Sequence, residues 1–231
     1  MKITNKSFLF IITIAISISL IAAIIVRLSI SKFEYADIPS LASKITYYPY
    51  TEIEYSGSFK DVSATKDTST LYKYIVKGKA TGHKEILKGA VLTEIEVNNV
   101  LQGAINSKYI YIYEPISIDI SNVSMLTTFE GYNFIKDNKE YIFCLCDLNK
   151  DYYNIYTKGK KNIFMYTTPF YGKFPLKYKS EDFAVISEND FVVEPFKYYN
   201  EFSHYEQIFS SQKTKNKYFK EYNRLLKITP K

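Results

Sequence analysis

The chain has 231 residues, of which 46% are hydrophobic, 17% aromatic and 23% charged, and this composition excludes disordered, collagen-like and low-complexity proteins. Two cysteines exclude a disulfide scaffold and a cysteine-based zinc module, and two histidines leave little material for a histidine-rich metal site. The formal charge of +6 falls to +3, or 27 minus 24, without Lys2, Lys6 and Arg27 around the N-terminal apolar segment. Such a weak and scattered charge predicts no nucleic-acid partner.

The N-terminal apolar segment runs from Phe8 to Val26 without a charged residue. A helix over these residues extends about 28 Å, which is close to the thickness of a hydrocarbon core. The segment is longer than the apolar core of a cleaved signal peptide, which is the alternative interpretation. We therefore predict a transmembrane anchor over residues 8–30, flanked by residues 1–7, with the lipid bilayer as the partner of residues 8–26.

The same segment predicts a location. Lys2 and Lys6 precede it while Arg27 and Lys32 follow it, so the positive-inside rule favours a cytoplasmic N-terminus only slightly. No second stretch approaches eighteen apolar residues, and a large domain translocates largely regardless of its own charge. We predict a single-pass protein of the cell membrane with its C-terminal domain outside the cytoplasm. The alternative is a domain that faces the cytoplasm.

The rest of the chain divides into three parts by composition. Residues 31–70 contain Pro39 and Pro49, which interrupt any long helix, and are predicted to form an arm or stalk. Residues 71–197 carry alternating patterns and are predicted to form a β-barrel domain. In residues 198–231 the aromatic residues recur every three or four positions, which predicts a helical tail of two short amphipathic helices.

Alternation of side chains predicts antiparallel strands in the middle of the chain. Lysines alternate with other residues from Tyr72 to Ala80, and glutamates alternate with apolar residues from Val91 to Val97, so pairing would set a lysine face beside a glutamate face. The segment from Tyr141 to Leu145 is apolar on both faces, as in a strand inside a closed barrel or under helices. The predicted fold is mainly β: an N-terminal transmembrane helix, a small antiparallel β-barrel and short C-terminal helices.

Several short motifs over residues 70–176 resemble a known group of proteins. The motifs are Val76-Lys77-Gly78-Lys79-Ala80, the strand Val91 to Val97, Val100-Leu101-Gln102-Gly103, the strand Lys108 to Glu114, Asn138-Lys139-Glu140-Tyr141-Ile142-Phe143 and Tyr171-Gly172-Lys173-Phe174. In this order they resemble uncharacterised extracytoplasmic proteins of Gram-positive bacteria with small OB-like barrels, similar in shape to netrin-like and metalloprotease-inhibitor domains. The resemblance implies an OB-like barrel outside the cytoplasm, and no catalytic residues.

Few residues suggest chemistry. Cys144 and Cys146 are two apart on a predicted strand and are interpreted as buried free thiols, with a redox pair as the alternative. His83 falls in a predicted polar turn and His204 in the first predicted tail helix, and neither belongs to a hydrolase, metalloprotease or phosphate-loop motif. We predict no catalytic residues, no metal site and no cofactor.

Tyrosine is the most distinctive feature of the composition, with 23 residues and no tryptophan. Tyr109, Tyr111 and Tyr113 alternate along one predicted strand and so share one face. Such a face can bind sugars or peptides, because the ring stacks while the hydroxyl makes hydrogen bonds. The competing interpretation, which the sequence favours, is that a tail helix covers the three tyrosines. They are nevertheless the only predicted binding surface.

These observations predict a membrane-anchored, extracytoplasmic binding or interaction module without catalytic activity, with a protein or cell-wall partner. Two alternatives stay open. One is a cell-envelope enzyme, which would require a cleft that gathers carboxylates or His83, and the other is a regulatory or immunity-like protein facing the cytoplasm. The sequence identifies neither a ligand nor an oligomeric state.

Overall fold

The computed structural model describes residues 5–29, 34–50, 71–87, 89–119, 124–148, 159–192 and 197–229. The chain forms two compact units, Met1–Phe33 and Glu34–Lys231. The α-helices in these ranges are α1 (Asn5–Ser29), α2 (Ile38–Leu41), α3 (Asn189–Val192), α4 (Tyr199–Phe202) and α5 (Gln212–Ile228). The strands are β1 (Thr46–Tyr48), β2 (Tyr74–Leu87), β3 (Ala90–Gln102), β4 (Tyr109–Ile118), β5 (Met125–Thr128), β6 (Glu140–Asp147), β7 (Ile163–Tyr166), β8 (Lys173–Pro175), β9 (Phe183–Val185) and β10 (Gln207–Phe209). The mainly β character of the prediction is confirmed.

The first unit contains α1, and here the sequence prediction is wrong. Among the residues that the structure describes, no helix is both long and apolar enough to cross a membrane. The transmembrane anchor predicted over residues 8–30 is corrected accordingly.

The second unit is built around a closed ring of five strands. Neighbours in the ring are β2–β3, β3–β4, β4–β7, β7–β6 and β6–β2. Four of these pairs are antiparallel, but β4 and β7 run parallel, so the purely antiparallel barrel of the prediction is corrected at this one pair. Strand β5 pairs antiparallel with the C-terminal end of β4, from Ile116 to Ile118. Strand β1 pairs in parallel with β5.

The predicted pairing of a lysine strand with a glutamate strand is present. Lys79 of β2 lies opposite Glu96 of β3 in the antiparallel register. The residues around Gly82 and His83, predicted to form a polar turn, are instead part of the long strand β2. The register with β3 shifts between Ala80 and Lys84, so the strand is irregular there. Gly82 lies in this irregularity with a φ of 91°, a left-handed conformation that glycine adopts without strain.

Strand β6 is covered on both faces, as its two-sided apolar pattern predicts. Ile142 and Cys144 belong to an apolar cluster that also contains Tyr218, Tyr222 and other residues of α5. Successive side chains of a strand point to opposite faces, so the buried residues between and beside them, such as Phe143, face the other side. The C-terminal helix therefore packs over the sheet at β6.

The C-terminal tail differs from the prediction in its first half. Only Tyr199–Phe202 is helical there, and Gln207–Phe209 forms the strand β10, which pairs in parallel with β9. The second predicted helix is present and longer than expected, with Ser211 as its N-cap residue. The short helix α3 precedes the tail, and residues 193–196 lie outside the described residues.

Part of the predicted arm is integrated into the second unit. Ile38, Ile45 and Tyr47 are all at most 2% exposed, and Tyr47 lies in β1. The backbone N–H of Tyr47 donates to the carbonyl of Lys197, so this segment is tied to the C-terminal part of the chain. The remaining predicted arm, residues 51–70, lies outside the described residues.

Candidate functional site

The three predicted surface tyrosines share one face of β4. In the antiparallel register with β3, Tyr109 lies opposite Glu96 and Tyr111 lies opposite Glu94. Tyr113 lies opposite Leu92. Residues opposite each other in a ladder project to the same side, so the tyrosines and the two glutamates form one surface, here called the tyrosine face.

Two lysines lie over rings of the tyrosine face. Lys108 Nζ is 5.1 Å from the centre of the Tyr109 ring and 3.2 Å from Glu96 Oε1. Lys160 Nζ is 4.3 Å from the centre of the Tyr111 ring and 2.8 Å from Glu85 Oε1. Each lysine thus links a ring to a carboxylate by a cation–π contact and an ion pair, which limits the orientations of the ring.

Hydrogen bonds fix the Tyr111 hydroxyl as well. It donates to Glu94 Oε2 at 2.9 Å, and Thr81 Oγ1 donates to Glu94 Oε1 at 3.0 Å. The hydrogen bond to Glu94 and burial raise the pKa of Tyr111, so the phenol stays protonated and remains a donor at neutral pH.

Exposure differs along the tyrosine face. Tyr109 is 40% exposed, whereas Tyr111 and Tyr113 are half-buried and pack against a small apolar cluster. The buried members of that cluster are Leu87, Leu92, Leu148 and Ile163. The expectation that a tail helix covers the three tyrosines is therefore wrong, since α5 packs in the separate cluster on β6 and β8.

A second group of polar side chains, which the sequence patterns did not predict, is buried inside the unit. Its members, here called the charged cluster, are Lys84, Glu114, Lys173 and Glu206. The Lys173 and Glu206 side chains are each 2% exposed, and Lys173 Nζ lies 3.4 Å from Glu206 Oε2. The one available signal was a lysine inside the otherwise apolar and aromatic stretch from Phe170 to Leu176.

The charged cluster holds an irregular buried segment, residues 132–136, which precedes β6. Lys173 Nζ donates to the carbonyls of Asn133 and Phe134 at 2.7 and 2.9 Å, and Lys84 Nζ donates to the carbonyl of Ile135 at 2.6 Å. Glu114 Oε2 accepts from the N–H of Ile135 at 2.8 Å. Backbone groups outside a regular ladder need such partners when they are buried.

Burial and neighbouring charges shift the pKa values of the ionisable groups in and next to this cluster. Burial acts to raise the pKa of Glu206, but the ammonium groups of Lys173 and Lys139 outweigh it and hold that pKa below the usual value. Burial lowers the pKa of Lys173 despite the attraction of Glu206. Lys136 is next to the cluster, and burial together with the charge of Lys173 lowers its pKa to about 8.

Each member of the charged cluster is engaged by other groups of the protein. Within the described ranges, Thr167 Oγ1 is the only buried side-chain oxygen or nitrogen without a hydrogen-bond partner. Lys84, Glu114, Lys173 and Glu206 therefore each have at least one protein partner for their buried polar atoms. We assign them to the stability of the fold, and the tyrosine face is the better candidate for binding.

The remaining predicted candidates are dispersed. His83 lies in β2, not in a turn, with Nε2 3.6 Å from Glu85 Oε1 and its side chain 59% exposed. His204 is exposed, with its ring centre 3.8 Å from that of Tyr205. In the part of the chain that the structure describes, no group of three or more His, Cys, Asp and Glu residues could hold a metal ion.

Both cysteines are free thiols, as predicted. Cys144 is fully buried, while Cys146 is only partly buried, with Sγ 3.5 Å from the carbonyl oxygen of Tyr166. Burial raises the pKa of Cys146 to about 11, so its reactive thiolate form is scarce at neutral pH.

Slow alkylation of both thiols follows from these environments. With a soluble maleimide or iodoacetamide at neutral pH, we expect Cys144 and Cys146 of the native protein to react at least about tenfold more slowly than in urea, because only the thiolate attacks. Mass spectrometry of timed samples measures the rates. Labelling of native Cys146 as fast as in urea would contradict the shielded site and support a redox role.

No family model matches the sequence, and a search of curated proteins finds no match. The resemblance to OB-like extracytoplasmic proteins stays a prediction from the motifs.

Proposed function

We propose that this protein is a non-catalytic binding module that recognises an extended glycan through the tyrosine face. The observation that carries the proposal is the row of Tyr109, Tyr111 and Tyr113 on the outer side of the five-stranded ring, beside Glu94 and Glu96. Tyrosine offers a large contact area at a low cost in conformational entropy, and its hydroxyl adds a polar contact.

The geometry of β4 favours recognition by side chains. Both edges of β4 are already paired, with β3 on one side and with β7 or β5 on the other. Strand addition by a peptide requires a free edge, so a peptide could not bind there in that way. Alternate residues of a strand are about 6.6–6.8 Å apart, and three rings at this spacing suit a ligand with repeated units.

The carboxylates beside the rings suit a ligand rich in hydroxyl groups. Glu96 is an acceptor and Lys108 is a donor, their side chains are 38% and 66% exposed, and both lie beside Tyr109. Sugar hydroxyls donate and accept, and the apolar faces of a sugar ring stack on an aromatic ring.

We propose no catalytic role because the carboxylates near the tyrosine face are engaged by other side chains of the protein. Glu94 accepts hydrogen bonds from Tyr111 and Thr81, and Glu85 pairs with Lys160. A carboxylate occupied in this way is poorly placed to act as a general acid or base. The location of the module outside the cytoplasm stays a prediction from the sequence.

Replacing Tyr109 with alanine tests the proposal directly. We expect the substitution to weaken binding to a glycan identified on an array by at least about tenfold, because truncation of an aromatic residue that carries binding energy typically has this effect. The stability of the full chain should change by less than about 0.5 kcal/mol, since Tyr109 is 40% exposed.

Tyr198 provides the matched control. It is 41% exposed and lies outside the tyrosine face, so Tyr198→Ala should leave binding unchanged. Equal losses for the two variants, or binding to no glycan on the array, would contradict the proposal. Selective capture of peptides instead of glycans, still dependent on Tyr109, would assign the same face to another ligand class and reject the glycan.

A further inference from the structure

The C-terminal helix α5 carries most of the charge of the protein. Its 17 residues contain five lysines and one arginine against a single acid, Glu221, which gives 6 minus 1, or +5. The whole chain has a formal charge of +6. The net positive charge of the chain is therefore concentrated in this one helix.

Five of the six basic residues lie on one stripe of α5. Lys213, Lys217, Lys220, Arg224 and Lys227 follow each other at steps of four, three, four and three residues. Residues at these steps are neighbours on the surface of a helix, and the stripe extends about 21 Å at 1.5 Å per residue. We call these five residues the basic stripe.

The helix buries its other side, so the basic stripe is accessible to solvent. Tyr218 and Tyr222 are each 1% exposed, and their rings stack on Phe174 at 4.7 and 5.6 Å. The four lysines of the stripe are all exposed. The packing of the aromatic side on the sheet thus fixes the direction in which the lysines project.

The lysines of the stripe are not neutralised by neighbouring carboxylates. Within the described residues, the salt bridges include none formed by Lys213, Lys217, Lys220 or Lys227. Like charges three or four residues apart destabilise a helix, so this arrangement is unfavourable without a counter-charge. An anionic surface along the stripe would relieve that repulsion.

We infer that the basic stripe docks the protein on an anionic lipid surface. The last turn of α5 exposes an aliphatic side chain beside the stripe, because Ile228 is 45% exposed and follows Arg224 by four residues. Aliphatic groups next to ammonium groups suit the interface between lipid headgroups and acyl chains. A nucleic-acid backbone satisfies the lysines but offers no comparable contact to the aliphatic side chain.

The arginine of the stripe supports the same choice. Arg224 donates from Nε and Nη2 to the two oxygens of Glu221 at 3.0 and 2.7 Å. Its guanidinium is thus occupied by a bidentate pair and is not free for the fork-like contacts that recognise nucleic-acid bases. The free charges are lysines, which act as point charges on a diffuse anionic surface.

Vesicle binding of the full chain tests this inference. We expect binding to phosphatidylcholine vesicles to increase when about a third of the lipid is phosphatidylglycerol, and to decrease as salt is raised. Replacing Lys213, Lys217 and Lys220 together with glutamine should reduce the added binding about a hundredfold, since each lysine near an anionic surface contributes roughly a factor of five. Binding to pure phosphatidylcholine measures any contribution of α1 and is subtracted.

The control removes the same charge elsewhere. Lys44, Lys73 and Lys161 are exposed and lie outside α5, and their joint replacement with glutamine should reduce binding by much less. Equal effects of the two triple variants would show that only net charge matters and would reject the docking surface. No gain from phosphatidylglycerol would reject it too, and so would tighter stripe-dependent binding to an RNA oligonucleotide than to the vesicles.

Discussion

Replacing Lys173 with methionine is expected to lower the free energy of unfolding by about 3–5 kcal/mol. The substitution fills a similar volume but leaves Glu206, which is 2% exposed, without its buried partner. It also removes the donor to the carbonyls of Asn133 and Phe134. The Glu206 carboxylate and two backbone carbonyls would then each lose a partner, and each loss destabilises the folded state.

Urea unfolding of the full chain measures the effect of Lys173→Met. The control is Lys179→Met, because Lys179 also pairs with a glutamate, at 3.3 Å, but its side chain is 77% exposed. A surface pair of this kind contributes at most about 1 kcal/mol. Adding Glu206→Gln to Lys173→Met should recover part of the lost stability, since the buried Glu206 carboxylate would otherwise keep only Lys139, 2.9 Å from its Oε1, as an ion-pair partner. Equal midpoints for the two lysine variants would contradict the assigned role.

Much of the sheet could be predicted from local patterns. The alternation predicted from Tyr72 to Ala80 lies in β2 from Tyr74 onward, and the alternation from Val91 to Val97 lies within β3. The stretch from Tyr141 to Leu145 is buried on both faces of β6. These predictions succeeded because side-chain direction in a strand has a fixed period of two. The period determines which residues share a face of the strand, and the face with more apolar residues is the one expected to be buried.

Features that depend on distant parts of the chain could not be predicted in the same way. Phe209 recurs at a helical spacing after Phe202 and Tyr205, yet it lies in β10 because that segment pairs with β9. The parallel contact that closes the ring, between β4 and β7, joins segments some fifty residues apart, for example Tyr111 and Ile163. No local period encodes such a contact.

The candidate sites also differ in whether a local sequence pattern could predict them. The tyrosine face was visible in the sequence, because Tyr109, Tyr111 and Tyr113 alternate, but whether an element covers it depended on where α5 packs. Lys173 and Glu206 are 33 residues apart and resemble ordinary surface residues in the sequence. Their burial follows from the assembled fold alone, as does the solvent-facing direction of the lysines on α5.

Replacing Tyr218 with alanine is expected to destabilise the protein by about 3–5 kcal/mol, as for other large aromatic residues truncated in a core. Tyr218 is 1% exposed and stacks on Phe174 with ring centres 4.7 Å apart. Its hydroxyl donates to the carbonyl of Lys173 at 2.7 Å, so the same side chain joins α5 to the strand that carries the buried lysine.

Two further variants separate the contributions of Tyr218. Tyr218→Phe keeps the ring and removes the hydroxyl, and we expect a loss of only about 1–3 kcal/mol from the carbonyl left without its donor. Tyr109→Ala, in which an exposed ring is truncated, should cost less than about 0.5 kcal/mol. Urea unfolding of the three variants should therefore rank Tyr218→Ala as the most destabilised and Tyr109→Ala as the least. If Tyr218→Ala unfolds at the midpoint of the unmodified protein, the packing of α5 on β6 and β8 does not stabilise this fold, and the orientation of the basic stripe loses its structural basis.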